Sequence, residues 1–358
     1  MFQSTHPDAE LHAAARAISG GPVYVSDAPD AHSAALLRSL VLPDGSVLRC
    51  EHGAKPTRQS LFDDPNADGA TALTLWARNA VTGVLGAFNV QGARWDRATR
   101  RFVAAADGGP TVGADLRPEM VEGLAPSAQR GGGGSGLGSG AEGEAAAAEW
   151  VAYGHHSGVP QLLKSGEQIE IGDLAPRDWE LFVVAPLERL GGVAWAPIGL
   201  LGMLNAGGGV EASALGRGFA RAPQARARVR TPGTFGAYCS EAPRLVRVGG
   251  AVVPFEYDAS SGLLRVDVSD DAAEVAANAA AGDGEKQVRT AEVAVDFAFG
   301  ARANLRLRQQ PKRDDAPNTV EVTNIEVLNR IRSLVAPPVP RVGLGAFGHA
   351  VDDAEEVE

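Results

Sequence analysis

The sequence has 358 residues, 44% of them apolar, a formal charge of -11 and a pI near 5.2. A chain of this length and composition can bury a large core, in one large domain or two. The acidic balance, with no clustered basic face, argues against a nucleic-acid partner.

Residues 7–18 read as a helix. Pro7 suits the first helical position, Asp8 and Glu10 complement the dipole, and Ser19-Gly20-Gly21 stops it. Pro22-Val23-Tyr24-Val25 is short and apolar without polar alternation, the pattern of a parallel strand covered on both faces. Residues 31–41 read as a second helix, with Leu36, Leu37, Leu40 and Val41 on one face and a stop at Pro43-Asp44-Gly45. Helix, strand and helix in this order predict α/β architecture, most simply the last units of a (β/α)8 barrel, over residues 1–52.

From about residue 70 the apolar period falls to two, and the turns become those of antiparallel hairpins. Hairpins are predicted at 72–90, at 151–163 around Ser157-Gly158, at 225–238 around Thr231-Pro232-Gly233, at 245–255 around Gly249-Gly250, and at 253–268 around Ser260-Ser261-Gly262. Residues 53–300 are therefore expected to form an all-β antiparallel sandwich. The arginines within residues 225–230 alternate with apolar residues, as on the wet side of a strand. Residues 125–148, rich in Gly and Ala, read as a loop insertion too poor in side chains to pack. Residues 301–358 read as a mostly disordered acidic tail, with an amphipathic helical pattern over 320–335.

Cys50 and Cys239, the two cysteines, give no disulfide framework and no zinc spacing, which fits a reducing compartment. The first residues lack the basic start and apolar stretch of a signal peptide, and no apolar run reaches membrane-span length, so the expected location is cytoplasmic, with no membrane partner. His155 and His156, adjacent in a predicted strand, would point to opposite faces and read as turn flanks. No metal site and no cofactor is expected. The glycines of 131–140 lack the flanking strand, helix and lysine of a phosphate loop. Four of the five tryptophans, Trp76, Trp95, Trp150, Trp179 and Trp195, lie in or beside predicted strands, where packing is the commoner role. Gly207-Gly208-Gly209 reads as a tight turn.

Several words of the sequence carry a resemblance. Met1-Phe2-Gln3-Ser4-Thr5-His6-Pro7, then Gly20-Gly21-Pro22-Val23-Tyr24-Val25-Ser26-Asp27, then Leu42-Pro43-Asp44-Gly45, resemble the raffinose synthase and seed imbibition protein group of glycoside hydrolase family 36. So do Phe88-Asn89-Val90-Gln91-Gly92, Ala196-Pro197-Ile198-Gly199-Leu200-Leu201-Gly202-Met203-Leu204-Asn205, Phe235-Gly236-Ala237-Tyr238 and Phe255-Glu256-Tyr257-Asp258. The likeness runs to about residue 300, outside the Gly-rich insertion. It implies a (β/α)8 barrel followed by a β-sandwich, acting on α-galactosides with retention of configuration. The implied donor is galactinol, the acceptor sucrose and the product raffinose.

Retention uses two carboxyl groups about 5 Å apart, one as nucleophile and one as acid and base. The family's Lys-x-Asp and Gly-Asp-Asp motifs do not occur within the stretch that carries the likeness, and a closed barrel takes about 250 residues. The chain is therefore expected to be the C-terminal part of a longer enzyme, without catalytic residues of its own and inactive alone; Met1 would be an internal methionine or the start of a truncated gene. Residues at the C-terminal ends of barrel strands face the site, which singles out Gln3, His6, Ser26 and Asp27 as candidate sugar-binding residues. For Asp27, hydrogen bonding to galactose hydroxyls and N-capping of the next helix both stay open; His6, before Pro7, is open to sugar contact or to capping. Three functional readings follow: galactosyl transfer to sucrose, hydrolysis as an α-galactosidase, and a non-catalytic carbohydrate-binding fragment.

Overall fold

Alternating apolar and polar residues beyond residue 70 do build antiparallel sheet. In the computed structural model, residues 1–104, 109–124, 148–268 and 289–298 are described. The chain divides into two units, Met1–Asn304 and Leu305–Glu358, and the described residues all belong to the first. The expected acidic tail with its helix, and residues 125–147 of the expected insertion, lie outside the described residues.

The elements run α1 (Ala9–Ser19), α2 (Ala34–Arg38), β1 (Lys55–Pro56), β2 (Leu73–Arg78), β3 (Gly83–Phe88), β4 (Ala93–Asp96), β5 (Arg101–Ala104), β6 (Val112–Leu116), β7 (Glu149–Gly154), β8 (Pro160–Lys164) and β9 (Ile169–Leu174). They continue through β10 (Trp179–Pro186), β11 (Glu188–Leu190), β12 (Val193–Leu201), β13 (Val210–Arg217), β14 (Pro223–Arg230), β15 (Gly233–Cys239), β16 (Leu245–Val248), β17 (Ala251–Val253), β18 (Phe255–Asp258), β19 (Leu263–Val268) and β20 (Thr290–Asp296).

Three larger sheets result. One has the order β1-β2-β3-β10-β7-β8, the second β11-β12-β15-β19-β18, and the third β13-β14-β20-β16-β17. Their strands pair antiparallel throughout. The two five-stranded sheets share one core, in which Trp195, Phe235 and Leu264 of one sheet meet Val229, Val246 and Val293 of the other. This is the packing of a sandwich, with the two inner faces closed against each other. On the third sheet's outer face Arg226 pairs with Glu292, and Arg228 and Arg230 pair with Glu211, which balances the charge of the arginine stripe.

The six-stranded sheet is covered on both sides, and β3 shows why. All six of its residues are buried; Val84 and Phe88 pack with Ala13, Ala14, Ala17 and Ile18 of α1, while Leu85 and Ala87 pack with Trp76, Trp150 and Phe182 on the other face. Strand side chains alternate between faces, so a strand apolar at every position needs a cover on each. The alanines of α1 let the helix lie close to the sheet. Gly20 ends α1 in the left-handed conformation at φ 69°, and a Cβ there would stand 2.4 Å from the His52 carbonyl oxygen, so this turn admits only glycine.

Several expectations need correction. The stretch 22–25 is not a strand buried on both faces: Tyr24 is 61% exposed, and the segment makes one parallel bridge, Val25 with Phe2. Val23 packs against the core beside α1, while Tyr24 faces solvent. The second helix shrinks to Ala34–Arg38, because residues 31–33 turn toward Ser4 and Val41 bridges to Val47 instead. The hairpin expected at 225–238 does not form; β14 pairs with β13 and β20, β15 with β12 and β19, and Thr231-Pro232 is the corner where the chain changes sheet. The other four hairpins form as expected. Gly207-Gly208-Gly209 belongs to one turn of 3-10 helix. Trp76, Trp150, Trp179 and Trp195 are core residues, whereas Trp95 is 51% exposed. Burial pushes the Cys50 thiol up to about 12 and the Cys239 thiol up as well, so neither is a ready nucleophile.

A buried amide pair ties the layers together. Asn79 Nδ2 donates to Asn205 Oδ1 at 2.9 Å, Asn205 Nδ2 donates back to Asn79 Oδ1 at 3.0 Å, and the same Asn205 amide reaches the Leu48 carbonyl at 3.1 Å. Removing one partner strands the other's buried polar atoms, at a cost of about 1–3 kcal/mol. Asn79→Ala and Asn205→Ala should each lower stability to denaturant by that amount, while the double variant loses less than the sum. Additive losses in the double-mutant cycle would show that the pair is not a unit.

Candidate functional site

The four sequence candidates sit around the parallel bridge at the start of the chain. The Phe2 amide donates to the Tyr24 carbonyl at 3.1 Å, and the Ser26 amide to the Phe2 carbonyl at 2.9 Å. Residues 1–3 and 24–26 thus run side by side in the same direction, with α1 between them in sequence. Gln3 and Ser26 stand exposed beside this bridge, and Ser26 Oγ also lies within reach of the Phe2 carbonyl, at 3.4 Å.

Asp27 is bound to its own chain. Its Oδ1 accepts the Ser4 amide and its Oδ2 the Ser4 hydroxyl, both at 2.6 Å, and His32 Nδ1 lies 3.0 Å from Oδ2. Ser4 Oγ in turn accepts the Ser33 amide at 2.8 Å. The Asp27 side chain, though near the surface, is closed off from solvent by these groups. It caps no helix, since α2 starts after Ser33. The hydrogen bond from the Ser4 hydroxyl, and then that from His32, hold the Asp27 carboxyl below its usual value. Such a group is an anchor: it fixes residue 4 and the loop 28–33 at the ends of the two parallel segments. Sequence reasoning missed Ser4, His32 and Ser33; the only available signal was a polar residue at each segment end.

His6 starts the helix. Its Nδ1 accepts the Asp8 amide at 3.0 Å, and its ring stacks on His12 at a centroid distance of 5.3 Å. Burial, and then the neighbouring His6, lower the pKa of His12. The outer part of His6 is 43% exposed and borders a groove that sequence reasoning did not anticipate. On the far wall stand His155 and His156. They follow β7 in a turn and do not alternate across a strand; both rings pack on Trp179, at 5.6 and 4.3 Å. Burial, and then the adjacent His156, lower His155 too. His6, Glu10, His155, His156 and Trp179 all border this groove, which encloses about 600 Å³; Gln3, Ser26 and Asp27 do not. No cluster of three or more metal-ligating side chains occurs among the described residues.

These features define a β-rich protein with a parallel-bridged N-terminal segment and a polar site of hydroxyl, imidazole and carboxylate groups. The sequence profile of raffinose synthase or seed imbibition protein Sip1 matches residues 1–268, and the chain belongs to that family. It is 44% identical over 277 residues, 75% of its length, to a galactinol–sucrose galactosyltransferase of Oryza sativa subsp. japonica, of which the match covers 32%. A galactinol–sucrose galactosyltransferase of Pisum sativum is 40% identical over 72% of the chain and 31% of its own length, and a stachyose synthase of the same plant 36% identical over 72% and 28%. The chain spans about a third of the length of these relatives.

The lowered Asp27 carboxyl gives a pH test. A depressed folded-state pKa stabilises the fold fully above the unfolded value of about 4, and this is lost as pH falls through the folded value. In thermal melts between pH 6 and 2, the wild-type advantage over Asp27→Asn should shrink across that acid window. A gap that stays constant to pH 2 would show that this carboxylate is not the group being titrated.

Proposed function

We propose that the chain is part of a galactosyltransferase that moves an α-galactosyl group from galactinol to sucrose with retention of configuration, and that alone it turns over no substrate. The carrying observation is the similarity across residues 1–268 to proteins named galactinol–sucrose galactosyltransferase. Those names favour transfer over hydrolysis, which differs only in the acceptor of the galactosyl group.

The parallel bridge of Phe2 with Val25, on either side of α1, supports reading residues 1–52 as the last units of a (β/α)8 barrel, since strand, helix and parallel strand is the repeating unit of that fold. In this reading Asp27 is a positioning residue. Its low-pKa carboxyl, saturated by Ser4 and His32, suits neither the acid that protonates a leaving group nor a nucleophile that must be reached. The exposed Gln3, Ser26 and His6 are the side chains left to meet sugar. The two buried, unpaired thiols suit a reducing, cytosolic setting.

The 358-residue chain should release no galactose from a chromogenic α-galactoside and form no raffinose from galactinol and sucrose. Clear turnover abolished by Asp27→Asn would overturn the assignment of Asp27. A chimera joining the chain to the upstream portion of the Oryza relative should form raffinose; hydrolysis of galactinol without raffinose would replace transfer by the hydrolase reading.

A further inference from the structure

We infer that the groove between the start of α1 and the turn joining β7 to β8 binds a neutral oligosaccharide of two or three hexose units. The choice of sugar among neutral polar ligands rests on the proposed function; the site itself rests on four observations.

The first is size and continuity. The space of about 600 Å³ bordered by His6, Glu10 and His156 adjoins a second of about 710 Å³, and Pro7, Glu10, His156 and Trp179 border both. Each lies in the range of small-molecule sites, and together they form an elongated trough. The second is a pair of ring platforms. His6 is 43% exposed and backed by His12; His156 is 51% exposed and backed by Trp179. Each presents an apolar ring face together with a hydrogen-bonding nitrogen edge, the combination that suits a sugar's C–H face and its hydroxyl rim.

The third observation is charge. Asp8 lies 3.5 Å from Arg177, Glu180 accepts the His156 and Leu181 amides at 3.1 and 2.9 Å, and Asp178 accepts the Ala175 amide at 3.2 Å. Together with Glu10 and Glu170 these carboxylates outnumber Arg177 along the trough and repel an anionic ligand, while the engagement of Asp8, Asp178 and Glu180 weakens the pull on a cationic one. What remains is hydrogen-bonding capacity for an uncharged ligand. The fourth is the position of Glu10, which lines both spaces. Its oxygens can accept from sugar hydroxyls, as carboxylates commonly do.

Titration of the full 358-residue chain with raffinose, followed by saturation-transfer NMR, tests this. Raffinose should bind, and His156→Ala and Glu10→Ala should each weaken it roughly fivefold to tenfold, the loss expected for one ring face or one charge-assisted hydrogen bond. Thermal melting of both variants should match the wild type, because both side chains are largely exposed. Glu10→Gln, which keeps an acceptor, should recover part of the affinity. Absence of raffinose binding overturns the inference, as does binding unchanged in both variants. So does tighter binding of a tetra-lysine peptide that displaces raffinose, which would make the trough a cationic-peptide site. Failure of the chimera to form raffinose, with binding intact, would sink the proposed function and leave the groove; the reverse pair of outcomes would do the opposite.

Discussion

The reciprocal amide bond between Asn79 and Asn205 is the contact on which the arrangement of layers depends. The two residues are separated by 126 positions, and each is almost wholly buried. A buried amide left without partners is costly, and by meeting, the turn between β2 and β3 and the segment after β12 satisfy both amide oxygens. The backbone around them is shaped for that meeting. A Cβ at Gly207 would stand 2.2 Å from the Thr82 hydroxyl, and one on Gly199, at φ 124°, would stand 2.0 Å from the Ala206 carbonyl oxygen. A side chain at Gly207 would hold the two segments apart, and one at Gly199 would push the turn at Ala206 off β12.

With that junction closed, the first fifty residues have a defined bed. Asn205 also reaches the Leu48 carbonyl and lies 3.5 Å from Cys50 Sγ, which draws the end of the N-terminal segment onto the six-stranded sheet. Helix α1 then lies along β3 and β10, its alanines against Val84, Phe88 and Leu181. Gly86 leaves room for this approach, since a Cβ there would come within 3.1 Å of the Ile18 side chain. The trough beside α1 is a consequence: the start of the helix stands against the turn after β7, and the imidazoles at each side rest on rings that fix their orientation. Packing in one place thereby sets the geometry of a polar surface in another.

The sequence made the period-two strands and most of their turns readable, because local turn chemistry and burial pattern agree there. It misled where the decisive partner is remote. Residues 225–238 carry a perfectly good hairpin pattern, yet β14 and β15 find better partners in two different sheets. An all-apolar stretch at 22–25 implies two covers, and only Val23 has one, Tyr24 being 61% exposed. The shared motif words were readable as words but not as roles. Asn89 of Phe88-Asn89-Val90-Gln91-Gly92 donates to the Pro110 and Leu174 carbonyls, Gln91 to the Thr71 carbonyl, and Asn205 closes the amide pair. These are loop-fixing contacts, and no periodicity encodes their partners. Of the groove beside His6 nothing was readable, since His155 and His156 reach it through their packing on Trp179, 24 and 23 positions further on.

The position of Asp27 bears on how such a protein divides its labour. A carboxylate that takes part in glycosyl transfer must either give up a proton near neutral pH, which needs a raised pKa, or present a free lone pair to an anomeric carbon. Asp27 has its pKa lowered and its oxygens spent on Ser4 and His32. Its hydrogen bonds instead hold together the ends of two parallel segments. A positioning carboxylate is also tolerant of a modest acid shift, because its charged form is the one the fold stabilises. Asp27 thus fixes the ends of these two segments through Ser4 and His32.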